Sequence, residues 1–122
     1  SKEFLKWKEN GVKYVENTRT KQLMPHFFQF YLDFKKNEER FNIKQAVQNL
    51  KIPFLVVHGV NDNSVLPFEG DDLHLWGKNS EFFSVKNGNH TFSSKHPWDE
   101  EKLPKELKAV TEASISFLKS CV

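Results

Sequence analysis

Two titratable side chains, Asp62 and His90, each follow a short run of apolar residues. In parallel sheets the reacting groups lie just beyond the carboxyl ends of the strands, and both side chains stand at such a place in the sequence. A carboxylate and an imidazole are also the groups that most often carry protons in enzyme sites. The plainer alternatives are that Asp62 caps a turn and that His90 is an ordinary loop histidine.

The elements that would position these two side chains form a strand, helix, strand and helix. The run Phe54–Val57 is apolar without alternation, which is typical of a strand buried on both faces. A helix over Glu69–Trp76, closed by Gly77, then leads to a second strand over Glu81–Lys86. This order predicts a parallel β-α-β unit with a right-handed crossover, followed by a helix that Pro104 opens.

Within the first fifty residues, a short helical or irregular segment is predicted from Phe4, followed by a strand and two helices. The strand covers Val12–Glu16, and Pro25 is suited to the first turn of the helix that follows. Four rings then recur at helical spacing, which predicts one aromatic face; they are Phe27, Phe30, Tyr31 and Phe34. The second helix has an apolar stripe of Ile43, Ala46, Val47 and Leu50.

The pattern Pro-x-Leu-x-x-His-Gly-x-x-Asp-x-x-Val, from Pro53 to Val65, resembles the acid-bearing turn of the α/β-hydrolase family. The sequence Asn87-Gly88-Asn89-His90 is similar to the loop that carries the histidine in that family. The resemblance implies an α/β fold, namely the C-terminal fragment of an α/β-hydrolase fold with its last two parallel β-α units. Residues 1–50 would be a lid or cap-like segment, and residues 51–122 the β-α-β-α part of the core.

The roles that the resemblance implies are those of a Ser-His-Asp triad. Asp62 would be the orienting acid and His90 the general base, in the family's chain order of acid before histidine. His58 would be structural. The parent protein would cleave an ester, thioester or amide bond in a small acyl or peptide-like substrate.

The nucleophile of such a triad is missing from the sequence. None of the five glycines takes part in a Gly-x-Ser-x-Gly motif. We therefore expect these residues to be a piece of a longer hydrolase, inactive alone, that pairs with the missing N-terminal part or self-associates through an open sheet edge. The alternative is a non-catalytic binding or interaction module of the same fold.

The aromatic residues offer candidates for substrate contact. Residues of the first segment are similar to a lid found in some bacterial members of the family: Trp7, Gly11, Tyr14, Asn17, Arg19, Thr20 and Pro25. The stripe of Phe27, Phe30, Tyr31 and Phe34 would either line an acyl pocket or pack the lid onto the body, and packing is the preferred interpretation. Trp98 would either form a wall near His90 or plug the space under a long loop.

Composition excludes several other classes of protein. A net charge of +2 with scattered lysines lacks the clustered basic face of a nucleic-acid-binding protein. No apolar run is long enough to span a membrane. The single Cys121 excludes an internal disulfide and leaves the compartment open, with the cytoplasm slightly preferred. No pair of histidines has the helical spacing of a metal site. Asp71, Asp72 and His74 are therefore interpreted as the solvent-exposed start of a helix. No metal or cofactor is predicted.

Overall fold

The computed structural model describes all 122 residues. Its helices and strands, in chain order, are α1 Lys2–Asn10, β1 Val12–Glu16, β2 Leu23–Phe27, α2 Phe28–Lys36, α3 Ile43–Gln48, β3 Phe54–Gly59, α4 Pro67–Trp76, β4 Ser80–Val85 and α5 Lys105–Ser120. The chain thus mixes helices with two small sheets, which is the α/β class in its general sense. No helix combines the length and the apolar character that crossing a bilayer requires.

The chain divides into two compact units, Ser1–Asn42 and Ile43–Val122, which we call unit 1 and unit 2. The division falls before α3, whereas the sequence suggested a boundary between Leu50 and Lys51. Helix α3 belongs to unit 2 because it packs against α4, with Val47 buried. In the same contact, the ammonium group of Lys44 lies 5.5 Å from the centre of the Trp76 ring.

Unit 1 is built on an antiparallel hairpin of β1 and β2. Pro25 was predicted to open a helix, but it lies in β2 opposite Tyr14. Beyond the end of the ladder, the Phe28 amide donates to the Gly11 carbonyl over 2.7 Å. Because hydrogen-bonded and non-bonded pairs alternate along such a ladder, Tyr14 and Pro25 form a non-bonded pair. The missing N–H of proline therefore costs the hairpin no hydrogen bond, and the strand can include it.

This strand changes the predicted aromatic face. Phe27 is the last residue of β2, so it does not share a helix with Phe30, Tyr31 and Phe34. The buried ring is its neighbour Phe28, which is only 8% exposed. Phe34 stacks on Phe41, and Phe30 is 74% exposed. The prediction of four rings on one helical face is therefore wrong, because pairing with β1 keeps the first of them in a strand.

The core of unit 1 is instead a cluster of four rings, Phe4, Trp7, Phe28 and Tyr31. The Phe28 centroid lies 5.6 Å from that of Phe4, 5.2 Å from that of Trp7 and 5.3 Å from that of Tyr31. The first two of these pairs meet edge to face, an arrangement that the ring quadrupoles favour. The Trp7 indole also donates to the His26 carbonyl over 2.7 Å, which joins α1 to the hairpin.

Unit 2 contains the parallel β-α-β unit that the sequence predicts. Strands β3 and β4 pair in parallel, with Val56 opposite Phe82 and Val57 opposite Phe83. Phe82 touches the ring of His74 in α4. The cleft that Phe117 of α5 borders is lined by Leu55, Glu81 and Phe83, which alternate with Phe82 along the strands, as well as by Phe82 itself. Since consecutive strand residues point to opposite faces, α4 and α5 cover opposite faces of the sheet. The apolar run of β3 is explained by this two-sided covering.

Candidate active site

Asp62 lies in a tight turn directly after β3. Its amide donates to the Gly59 carbonyl over 3.1 Å, and its side chain is only 7% exposed. The carboxylate oxygen Oδ1 accepts hydrogen bonds from the amides of Ser64, at 2.8 Å, and Val65, at 3.0 Å. This is the geometry in which an aspartate side chain organises the turn that follows it. The turn therefore positions the carboxylate, and the hydrogen bonds that the carboxylate accepts stabilise the turn.

These contacts keep the carboxylate ionised. The Val65 amide contributes most to lowering the pKa of Asp62 from its ordinary value of 3.8 to about 2, with smaller effects from the His90 side chain and the Ser64 amide. Burial acts in the opposite direction, but the hydrogen bonds outweigh it. Asp62 is consequently an anion, and an acceptor only, at any pH near neutrality.

His90 lies in a loop that begins directly after β4. Asn87 adopts a left-handed conformation with φ of 66°, which asparagine tolerates better than most residues, and the Gly88 amide then donates to the Val85 carbonyl over 3.0 Å. On the other side of His90, the Asn89 side-chain oxygen accepts from the amides of Thr91, at 3.1 Å, and Ser93, at 2.9 Å. Hydrogen bonds from side chains and backbone on both sides of His90 thus fix the position of its backbone.

The two loops approach each other closely through their backbones. The Asn61 amide donates to the Gly88 carbonyl over 2.8 Å, and the Val60 amide donates to the Val85 carbonyl over 3.1 Å. A Cβ on Gly59 would overlap the Gly88 carbonyl oxygen and lie 2.9 Å from the carbonyl oxygen of Asn89. Gly59 is therefore required for this approach, and not for an unusual backbone angle.

The approach brings Asp62 and His90 together. The Asp62 Oδ2 atom lies 3.0 Å from the His90 Nδ1 atom, so a hydrogen bond joins the ends of two neighbouring parallel strands. Because the ionised carboxylate can only accept, a neutral His90 must carry its proton on Nδ1. The Nε2 atom then holds a lone pair. It has no hydrogen-bond partner in the chain, and the side chain is 55% exposed, which leaves Nε2 accessible to a reactant.

The other candidates lie outside this pair. Trp98 is half-buried and makes no stacking contact with the His90 ring. Phe27, Phe30, Tyr31 and Phe34 belong to unit 1, and their part in substrate contact stays a prediction. His74 donates to or accepts from Ser80 over 2.8 Å. No group of three or more carboxylate, imidazole or thiol side chains is arranged to hold a metal ion.

Three residues around the pair have supporting roles that were not predicted from the sequence. Val65 and Ser64 supply amides to the acid, although an aspartate in a polar turn is a known signal of this arrangement. Gly70 lies inside α4, where a Cβ would lie 2.6 Å from the Nδ1 atom of the His58 ring. A glycine inside a helix usually has a packing reason, and that signal was available.

The structure thus brings the two predicted residues into a hydrogen-bonded pair, with the acid buried and ionised and the far nitrogen of the histidine accessible. Neither the comparison with protein-family models nor the comparison with curated proteins finds a match for this chain.

Proposed function

We propose that Asp62 and His90 are the acid and the base of a Ser-His-Asp triad, and that the protein they belong to is a serine hydrolase of the α/β-hydrolase family. The observation that carries the proposal is the 3.0 Å hydrogen bond from His90 Nδ1 to a buried, ionised carboxylate. Support also comes from the position of both groups after neighbouring parallel strands, where reacting groups of such sheets lie.

In this mechanism the His90 Nε2 atom removes the proton of a serine hydroxyl as the serine attacks an ester, thioester or amide carbonyl. The same nitrogen then returns the proton to the leaving group, and water repeats the cycle on the acyl-enzyme. Asp62 keeps the ring in the tautomer that leaves Nε2 unprotonated, and it stabilises the imidazolium that forms. Asp62 does not take the proton, because its pKa, lowered to about 2, keeps the carboxylate ionised.

The serine and the oxyanion-hole donors have to come from outside these residues, since the sequence contains no Gly-x-Ser-x-Gly. Strands β3 and β4 form a sheet of only two strands, so each has one edge without a backbone partner. A sheet of this size is marginal alone, and the half-buried Leu55 and Val57 gain from further cover. The missing part of the hydrolase would pair at such an edge, and a second copy of the chain is the competing partner.

The test uses the complete gene product that contains these residues. We expect a fluorophosphonate probe to label one serine of that protein, and His90→Ala to abolish both labelling and hydrolysis of a short-chain aryl ester. His26→Ala and Asp71→Asn, which change exposed side chains of the same types, serve as matched controls and should keep the activity.

Two results would contradict the proposal. One is a His90→Ala variant that retains most of the esterase activity. The other is a complete protein in which no serine reacts with the probe, which would favour a non-catalytic binding module on the same scaffold.

A further inference from the structure

His58 occupies the end of β3 and lies beside the acid turn without being the histidine that completes the pair. Its side chain is only 11% exposed, and its Nε2 atom lies 3.0 Å from the Val65 carbonyl oxygen. A carbonyl oxygen only accepts, so Nε2 must carry a proton and donate it. The same N–H group lies 3.7 Å from the Asp62 Oδ2 atom, which is too long for a hydrogen bond but close enough for attraction.

Val65 is thereby held from both of its backbone groups. Its carbonyl accepts from His58, and its amide donates to the Asp62 Oδ1 atom over 3.0 Å. This amide is the contact that lowers the pKa of Asp62 most. A side chain that holds Val65 in place therefore acts on the acid through one intervening residue, and leaves the Oδ2 atom to His90.

Helix α4 is shaped to admit the His58 ring. A Cβ on Gly70 would lie 2.6 Å from the His58 Nδ1 atom, a distance that real Cβ atoms essentially never show, and 3.0 Å from its Cγ atom, which is tighter than most. The glycine therefore lets a histidine ring lie directly against the helix, at the cost of helix propensity. The ring is fixed from one side by Gly70 and from the other by Val65.

We propose that His58 and Gly70 act together as positioning residues of the acid turn: Gly70 seats the His58 ring, whose Nε2–H holds Val65 so that the Val65 amide and the Asp62 carboxylate stay in register with His90. The catalytic meaning of this device rests on the function proposed above. The arrangement itself concerns only the geometry of Asp62, and it can be measured by NMR in the complete protein without any catalysis.

The experiment compares three substitutions of His58. In glutamine the amide nitrogen stands as many bonds from Cα as Nε2 of histidine, whereas in asparagine it stands where Nδ1 would be. His58→Gln can thus keep the donor to Val65, His58→Asn cannot reach it, and His58→Leu removes it. The readouts are the pKa of the Asp62 carboxyl group, from its carbon NMR titration, and the low-field proton signal of His90 Nδ1–H.

We expect the pKa of Asp62 to rise by about one unit, a tenfold change in proton affinity, in the asparagine and leucine variants. Their low-field His90 signal should broaden or move upfield. The glutamine variant should keep both properties of the parent chain. A general loss of packing would change all three variants alike, so rescue by glutamine alone distinguishes a positioning role from a purely structural one.

Gly70→Ala tests the same device from the helix side while leaving His58 in place. The added methyl group should displace the ring and reproduce the asparagine phenotype, although alanine is the better helix former. Leu75→Ala, at an exposed position of the same helix, is the matched control and should change neither readout.

An unchanged Asp62 pKa and His90 signal in both His58→Asn and Gly70→Ala would overturn the proposal. That result would leave the triad proposal intact, because the Asp62–His90 bond would still be present. Conversely, a complete protein without a reactive serine would defeat the triad proposal and leave the positioning effect measurable.

Discussion

The four-ring cluster of unit 1 and the Asp62–His90 pair of unit 2 are held in place by different forces. Around Phe28 the contacts are apolar ring edges and faces, with one indole hydrogen bond at the rim. Around Asp62 they are short, directional hydrogen bonds to backbone amides and to one imidazole. The ring cluster depends on buried area, whereas the pair depends on the positions of individual atoms.

This difference indicates which substitutions each region tolerates. Apolar burial is non-directional, so its loss is felt as lost stability in proportion to the area exposed. A hydrogen bond to a charged group depends on distance and angle, so a change of one atom alters chemistry while the fold persists. Substitutions in the two regions should therefore separate stability from site function, and four measurements test this.

The largest effect is expected from Asp62→Asn. The asparagine oxygen can still accept from the amides of Ser64 and Val65, but its NH₂ group would donate to His90 Nδ1 and force the proton onto Nε2. Nitrogen NMR of the chain should show the reversed tautomer with the fold retained. In the complete hydrolase, turnover should fall by roughly four orders of magnitude. A tautomer that stays on Nδ1 would show that the carboxylate does not control the ring.

The next effect concerns the stability of unit 1. Phe28→Ala removes the central ring of the cluster and should cost about 3–5 kcal/mol, as loss of a buried phenylalanine usually does. Hydrogen exchange of the Trp7 indole, which donates to His26 across the cluster, reports on this unit in the intact chain.

Phe30→Ala is the matched control, because Phe30 is 74% exposed and should contribute within about 0.5 kcal/mol. In the complete protein the same variant tests the alternative that this ring lines an acyl pocket. An altered preference for acyl chain length in Phe30→Ala would support pocket lining by this ring. Equal exchange rates in the two variants would instead show that Phe28 is not the centre of the cluster.

Gly59→Ala should have an intermediate effect that combines both kinds of sensitivity. Its methyl group would overlap the Gly88 carbonyl and push the histidine loop away, at a cost of about 1–3 kcal/mol for overpacking. The low-field signal of His90 should weaken as the loops separate. Val60→Ala, at an exposed neighbouring position, should leave the signal unchanged. A full-strength signal in Gly59→Ala would mean that the loop approach does not define the pair.

The smallest effect is the pH dependence contributed by one carboxyl group. The pKa of Asp62 is lowered on folding, so the group adds stability above its ordinary pKa of 3.8 and loses that contribution as the pH falls toward about 2. The free energy of unfolding of unit 2 can be measured in urea, with exchange of the β3 amides as the readout. As the pH falls over this range, it should decrease more steeply in the parent chain than in Asp62→Asn. The control Asp71→Asn should show the same pH dependence as the parent chain. If the stability of Asp62→Asn declined as steeply as that of the parent, the pH dependence would come from other groups.

Much of unit 2 was predictable because its signals are local. The apolar run before His58, the helix ended near Gly77 and the strand before Asn87 each carry a period or a breaker that defines an element within a few residues. The parallel pairing of β3 and β4 then follows from the helix between them. With both strands parallel, the residues after them must emerge at the same edge, so Asp62 and His90 had to be neighbours.

Unit 1 was harder to predict because its outcome depends on a competition between elements. The segment from Pro25 has helical spacing, but Leu23–Phe27 can also pair with β1, and pairing wins. Ring spacing alone does not reveal that Phe28 lies off the predicted stripe and that Phe4 and Trp7 come from another helix to meet it. Contacts between residues distant in sequence leave no local pattern.

The sequence by itself determined the elements of unit 2 and the two residues of its candidate site, because strand ends and turns can be recognised from short stretches of sequence. Only the tertiary structure decided how those residues work as a pair. The ionisation of Asp62, the tautomer of His90 and the seating of His58 against Gly70 each depend on atoms of separate segments approaching within about 3 Å. Such distances arise from packing and backbone approach, which no single stretch of sequence specifies.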